Sequence, residues 1–141
     1  MKKILIKGQE YYFDFIVKDN YNEIKAYDIK KREIGHLTMF VTKEIFPRSI
    51  WLMHIFVNED ARYCGVGQKM LDALEYFARK CCVEVVEGKF YPDNAYAKDF
   101  YEKNGYEIWK DGYETYVSKN FSHLKKKDKK MQDNELDELF K

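Results

Sequence analysis

Arg62, Gly65 and Gly67 stand within RYCGVG, between the apolar run IWLMHIFV (50–57) and the amphipathic run QKMLDALEYFARKC (68–81). A strand that passes into a helix leaves the first backbone N–H groups of that helix unpartnered, and glycines let an anion approach them closely. Arg62 adds a planar cation that forks onto phosphate oxygens. These residue types suit a phosphate cradle, although a tight turn whose glycines serve only backbone geometry accounts for the same letters. Two phosphate loops are excluded. The dinucleotide pattern G-x-G-x-x-G needs a glycine where Met70 stands, and the P-loop needs Gly-Lys-Ser/Thr where the chain has Gly67-Gln68-Lys69-Met70.

These residues are positioned by elements that the hydrophobic pattern marks. YYFDFIVK (11–18), EIKAYDIK (23–30) and EIGHLTMFV (33–41) are rich in aromatic and β-branched residues and are split by the turns DNYN and KKRE, which predicts an N-terminal antiparallel meander. Pro47 in KEIFPRS interrupts pairing. Ile50–Val57, apolar on both sides apart from His54, reads as a central strand. Met70, Leu71, Leu74, Phe77, Ala78 and Cys81 then fall on one helical stripe. VEVVEGKFY (83–91) returns to strand. Asp93 or Asn94 caps a second helix whose face is Tyr96, Ala97, Phe100 and Tyr101, and Asn104-Gly105 ends it. YEIWK and YETYVSK form a hairpin about Asp111-Gly112.

With 141 residues, 45% hydrophobic and 17% aromatic, the chain has enough apolar content for one self-sufficient core. The expected division is one domain over residues 1–121 and a charged tail over 122–141. The tail reads as solvated, with Leu136, Leu139 and Phe140 as the side of a short helix that would need a surface to lie on. Twenty-five Lys and Arg against twenty-four Asp and Glu recommend neither nucleic acid nor membrane as partner. Cys64, Cys81 and Cys82 lack metal-ligand spacing, so a reducing cytoplasm without a metal is expected. No segment has the length of a signal peptide or a membrane span.

Two stretches in order, VNEDARYCGVGQKML and NAYAKDFYEKNGYE, resemble the acetyl-CoA-binding core of the GNAT superfamily of N-acetyltransferases. Arg62, Gly65 and Gly67 fill its first signature; Asn94, Ala97, Phe100, Tyr101, Glu102, Lys103, Gly105 and Tyr106 fill its second. The resemblance spans roughly residues 50–116. It implies an α+β (α/β) fold with a central, mixed, mostly antiparallel twisted sheet of about six or seven strands and helices packed on it. The two helices usual after the first strand find no 3.6-residue stripe before Ile50, so they are reduced or absent here.

The resemblance also implies roles. Acetyl-CoA is the co-substrate, with residues 62–68 (Arg62, Tyr63, Cys64, Gly65, Val66, Gly67, Gln68) around its diphosphate, the backbone of Ile55 and Val57 along its pantetheine, and Asn94, Ala97 and Tyr101 beside it. Transfer to an amine needs a base for the ammonium and an acid for the departing thiolate. Tyr101 is then the acid, set against its reading as a core aromatic, and Asn94 also reads as a plain N-cap. His54 and Glu87 are candidate bases, His54 for its near-neutral imidazole and Glu87, like Glu84, for its place on the strand after the first helix. Each also has a bland reading, as a packed histidine and as solvent-facing charges, and an ordered water is a further base. Cys64 reads as a loop residue, since the family uses direct attack.

The expected activity is transfer of an acetyl group from acetyl-CoA to a primary amine in a ternary complex. A catalytically inactive CoA-binding regulatory module is the alternative, and an interaction domain without cofactor the third reading. The expected acceptor site is completed by Leu136–Phe140 or by a second copy of the chain in a homodimer.

Overall fold

The computed structural model describes residues 1–42, 49–121 and 134–141. Pro47 and the basic block of the tail lie outside the described residues. Eight strands form one sheet: β1 (Lys2–Ile6), β2 (Gln9–Val17), β3 (Asn22–Tyr27), β4 (Glu33–Thr42), β5 (Ser49–Val57), β6 (Val85–Lys89), β7 (Glu107–Asp111) and β8 (Glu114–Asn120), in the order β1-β2-β3-β4-β5-β6-β8-β7. The extra strand beyond the expected six or seven is β1. Its alternation, with Ile4 and Ile6 buried between exposed neighbours, is too short to stand out from the sequence alone.

Every neighbouring pair is antiparallel except β5 and β6, which are parallel. Between them runs α1 (Val66–Lys80), as a parallel pair requires a crossover. Helix α1 starts two residues before the expected Gln68 and buries Met70, Leu71, Ala73, Leu74 and Ala78 against the sheet. Helix α2 (Ala95–Lys103) begins at the Asn94 cap, where the Asn94 side chain accepts from the Ala97 N–H at 3.0 Å. Tyr106 follows α2, and its hydroxyl donates to Glu75 of α1 (3.1 Å), so both helices lie on one face.

The last hairpin turns at Gly112–Tyr113, since Asp111 still pairs with Glu114, one residue later than the Asp-Gly pair suggests.

The tail's end is not solvated. Helix α3 (Asn134–Leu139) buries Leu136 and Leu139, and Phe140 packs on Phe15 and Phe77 with centroids 4.7 and 5.2 Å away. The Leu5 N–H donates to the Glu135 carboxylate (2.7 Å), and the Tyr76 hydroxyl to Asp137 (3.0 Å). This helix caps β1, β2 and the C-terminal half of α1; it contributes nothing to the cavity described below, contrary to the expectation that it completes an acceptor pocket.

Among the described residues, no helix lies before β5 or covers the sheet's second face. Strand β5 is central, yet it is not buried on both sides: Met53, His54 and Phe56 are exposed. No helix of the described residues is long and apolar enough to cross a membrane.

Candidate active site

The site begins with the way β5 and β6 part. Their ladder runs from Ser49–Val85 to Leu52–Gly88 and stops. On the other side of β5, Leu52 pairs with Met39 and His54 with Thr38, which leaves Met53 as an extra residue, a β-bulge. A bulge bends its strand and raises its local twist, so β5 turns away with β4 while β6 continues on β8, where the Phe90 N–H donates to the Thr115 carbonyl (3.2 Å). Gly88 lets the strands close at the vertex: a Cβ there would stand 3.0 Å from the Leu52 carbonyl oxygen. The sequence reading passed over Gly88, whose signal was an isolated glycine inside a strand pattern.

The resulting notch is a cavity of about 330 Å³. Leu52, Ile55, Val57, Gly67, Phe100 and Tyr101 line it from the helix-covered face, and Met53, His54 and Phe56 from the opposite one. The cavity therefore opens through the sheet.

At its mouth, a short 3₁₀ turn (Glu59–Ala61) leads through Arg62, Tyr63 and Cys64 to the start of α1. Gly65 caps α1 in the left-handed region, at φ +89°, where a side chain is strained. A Cβ on Gly67 would approach Val57 Cγ2 to 3.3 Å and Phe100 to 3.6 Å, so the missing side chain keeps the floor of the cavity clear beside the helix N-terminus. Arg62 Nε–H donates to the Val57 carbonyl (3.2 Å) and its guanidinium lies 5.2 Å from the Tyr96 ring centre. The Val57 carbonyl is thus partnered by Arg62, while the rest of the guanidinium stays available at the mouth.

Of the remaining predicted cofactor residues, Ile55, Asn94, Ala97 and Tyr101 line the cavity. Tyr63, Cys64, Gly65, Val66 and Gln68 do not. Tyr63 projects outward at φ +66° with its ring edge-on to Tyr96. Val66 is a core side chain. Cys64 is half-buried beside Tyr11, whose phenol is pushed up by burial and by the Cys64 thiol.

Tyr101 is 4% exposed and walled by Phe90, Phe100 and Tyr106 at 5.6–5.7 Å. Burial pushes its phenol up to about 12. The hydroxyls of Tyr11, Tyr76 and Tyr106 donate to Gln9, Asp137 and Glu75. Among the buried tyrosines of the described residues, Tyr101 alone has a hydroxyl with no such partner, and it faces the cavity. Its oxygen is not sealed off, since Arg79 Nε is the buried side-chain polar atom left without a partner among the described residues; the Tyr101 hydroxyl is instead open to the cavity and free to donate to a ligand there.

His54 stacks on His36 with centroids 4.9 Å apart, and burial first, then His36, holds its imidazole below the ordinary value. Glu87 lies outside the cavity lining. It projects from the helix-free face between Trp51 and Ser118, its β5 and β8 partners. Glu84 precedes β6, and its carbonyl accepts the Phe121 N–H at 2.6 Å.

The pattern of the acetyltransferase (GNAT) domain matches residues 15–108. No curated protein matches the sequence. Among solved structures, the chain is similar to the PaiA N-acetyltransferase of Thermoplasma acidophilum in complex with coenzyme A, at 17% identity over 72% of this chain and 61% of that one, TM-score 0.64. It is similar to Arabidopsis thaliana Naa50 in complex with a bisubstrate analogue, at 23% identity, 70% and 72% coverage and TM-score 0.62. It also resembles the ribosomal-protein-S18-alanine N-acetyltransferase of Escherichia coli, at 19% identity, 78% and 75% coverage and TM-score 0.63. The chain spans less than two thirds of the Thermoplasma protein's length.

Proposed function

The chain belongs to the GNAT family of acetyltransferases, and on that premise we propose that it transfers an acetyl group from acetyl-CoA to a primary amine by direct attack in a ternary complex. The observation that carries this reading is the Tyr101 hydroxyl, which sits on a buried side chain, has no protein partner among the described residues and borders a notch lined from both faces of the sheet.

The α1 N-terminus and the free part of Arg62 hold the diphosphate, with the Tyr63-to-Gln68 main chain around it. Ile55, Val57, Asn94 and Ala97 flank the pantetheine in the notch. Gly67 supports this fit, because any side chain there would fill the cradle. Acetyl-CoA, when bound, supplies an activated acyl carbon.

Tyr101 donates a hydrogen bond to the departing sulfur. Its pKa of about 12 lies roughly 3.5 above that of an ordinary thiol, so complete proton transfer is uphill by about 5 kcal/mol. The phenol shares its proton as negative charge develops, and solvent completes the protonation of the thiolate. His54, neutral at pH 7, takes the proton from the attacking nitrogen. It is too weak a base to strip a free ammonium of pKa near 10, so the acceptor attacks as the small fraction already present as free amine, its first proton having gone to solvent, and His54 takes the second proton as the new N–C bond makes that nitrogen acidic. The activity is assigned to the cytoplasm, where the three free cysteines stay reduced.

A panel of primary amines with acetyl-CoA and detection of released thiol tests the reading. Amine-dependent thiol release is expected. Binding of acetyl-CoA with no release across the panel would replace the enzyme by a CoA-binding regulatory module.

A further inference from the structure

The helix-free face of the sheet carries an aromatic tract beside the notch. Trp51, Tyr116 and Trp109 project from β5, β8 and β7 on that side, with Trp51 edge-on to Tyr116 (6.5 Å) and Trp109 stacked on Tyr116 (4.5 Å). Glu87 rises among them, directly beside Trp51 and diagonal to Tyr116. It is one residue before Gly88, the vertex of the notch. Among the described residues, its carboxylate has no ion-pair partner. The same side of β6, β7 and β8 bears Glu107, Asp111 and Glu114 against a single ammonium, Lys89, which pairs with Glu114 (3.2 Å) and lies 5.8 Å from the Tyr116 ring centre. The tract is therefore acidic and rich in rings whose faces attract cations.

We propose that this tract binds a second ammonium group of the acceptor, so that the acceptor is a small aliphatic di- or polyamine whose one amine enters the notch while another rests on Glu87 and Trp51. The proposal rests on the acetyltransferase reading above. Three observations converge on it. The cavity is lined from both faces, so an acceptor reaches it from the helix-free side. The unpaired Tyr101 hydroxyl marks the reacting end. Glu87 and Trp51 form the pair next to Leu52–Gly88, where the β5–β6 ladder ends, so the tract adjoins the point at which the notch opens. Lys89 over Tyr116 already shows that an ammonium settles on these rings.

The test compares 1,5-diaminopentane with 1-pentylamine, which has the same carbon chain and one charge fewer. Both are titrated calorimetrically into the full chain saturated with coenzyme A, and both are assayed for thiol release with acetyl-CoA. The diamine is expected to bind at least 10-fold more tightly, about 1.4 kcal/mol, and to show a correspondingly lower KM. In Glu87→Gln and in Trp51→Leu this preference collapses toward unity. Equal affinity of the two amines for the unaltered chain overturns the proposal. So does a Glu87→Gln variant that keeps the preference while kcat falls alike for both amines, which would make Glu87 the base. Selective diamine binding without thiol release from either amine would instead remove the acetyltransferase reading and leave the cation site standing.

Discussion

Replacing Tyr101 by Phe separates activity from stability in opposite directions. The hydroxyl has no hydrogen-bond partner among the described residues and sits on a 4% exposed side chain, so its removal breaks nothing in the resting protein. Relief of an unpaired buried polar group is worth about 1–3 kcal/mol when desolvation is complete. Here the oxygen borders the cavity, so the expected gain is between zero and about 1 kcal/mol, or up to roughly 4 °C in Tm for a chain of this length. Positioned proton donors contribute 10²–10⁴ to rate, and a phenol at about 12 belongs at the low end. Thiol release should therefore slow about 10²-fold, near 2.7 kcal/mol, while acetyl-CoA still raises Tm. Because the phenol stays protonated until about pH 12, no loss of rate should appear through the ordinary tyrosine range near pH 10. Tyr106→Phe is the control. Its hydroxyl serves Glu75, so that variant should lose about 1.5–3 kcal/mol of stability. A Tyr101→Phe protein that melts lower and turns over at the original rate would refute the reasoning, for the hydroxyl would then be structural.

Other consequences follow from the same geometry. The imidazole of His54 is held below its ordinary 6.5, so the acid limb of kcat/KM should inflect below pH 6.5; His36→Gln should move it upward and His54→Gln should abolish it, and a limb that survives His54→Gln removes His54 as the base. Gly65→Ala places a Cβ 2.8 Å from Ile6 in a left-handed residue, with an expected loss of about 1–2 kcal/mol or more and a smaller rise in Tm from acetyl-CoA; an unchanged melting curve would contradict it. Gly88→Ala pushes a Cβ against the Leu52 backbone carbonyl, which yields less readily than a side chain, so stability should fall by about 1–3 kcal/mol and kcat more than KM should suffer. Leu139→Ala should cost about 2 kcal/mol in thermal unfolding without altering amine kcat/KM at 25 °C, and altered acceptor kinetics would return the tail to the active site.

The parts that were legible in the sequence are those with a strong local period or a strong local signal. The stripe from Met70 to Cys81 could only be a one-faced helix, and Asn94, three residues before the N–H it accepts, is where a cap belongs. The docking of α3 was hidden because it depends on Phe15, Tyr76 and Phe77 being brought together by the fold; six helical residues carry no stability of their own that a pattern could reveal. The cavity's second lining, from Met53 and Phe56, was hidden for a different reason. An uncovered face predicts polar residues in alternation, and these strands place Trp51, Phe56 and Trp109 there instead.

The bulge at Met53 shows most directly why the site could be anticipated in its residues but not in its shape. A one-residue insertion in a strand flips every later side chain to the other face, and in an alternating sequence that flip would appear as a phase break. IWLMHIFV is apolar at nearly every position, so the phase is unreadable and the inserted residue leaves no trace. The same uniformity is what permits the bulge, since Leu52 and Ile55 both meet an apolar environment on the helix side although three positions separate them. His54, the polar residue in the run, is turned to the helix-free face by this insertion; without it, His54 would point at α1. One backbone irregularity thus opens the notch beside Gly88 and turns the imidazole to the helix-free face, the side on which the proposed acceptor tract lies.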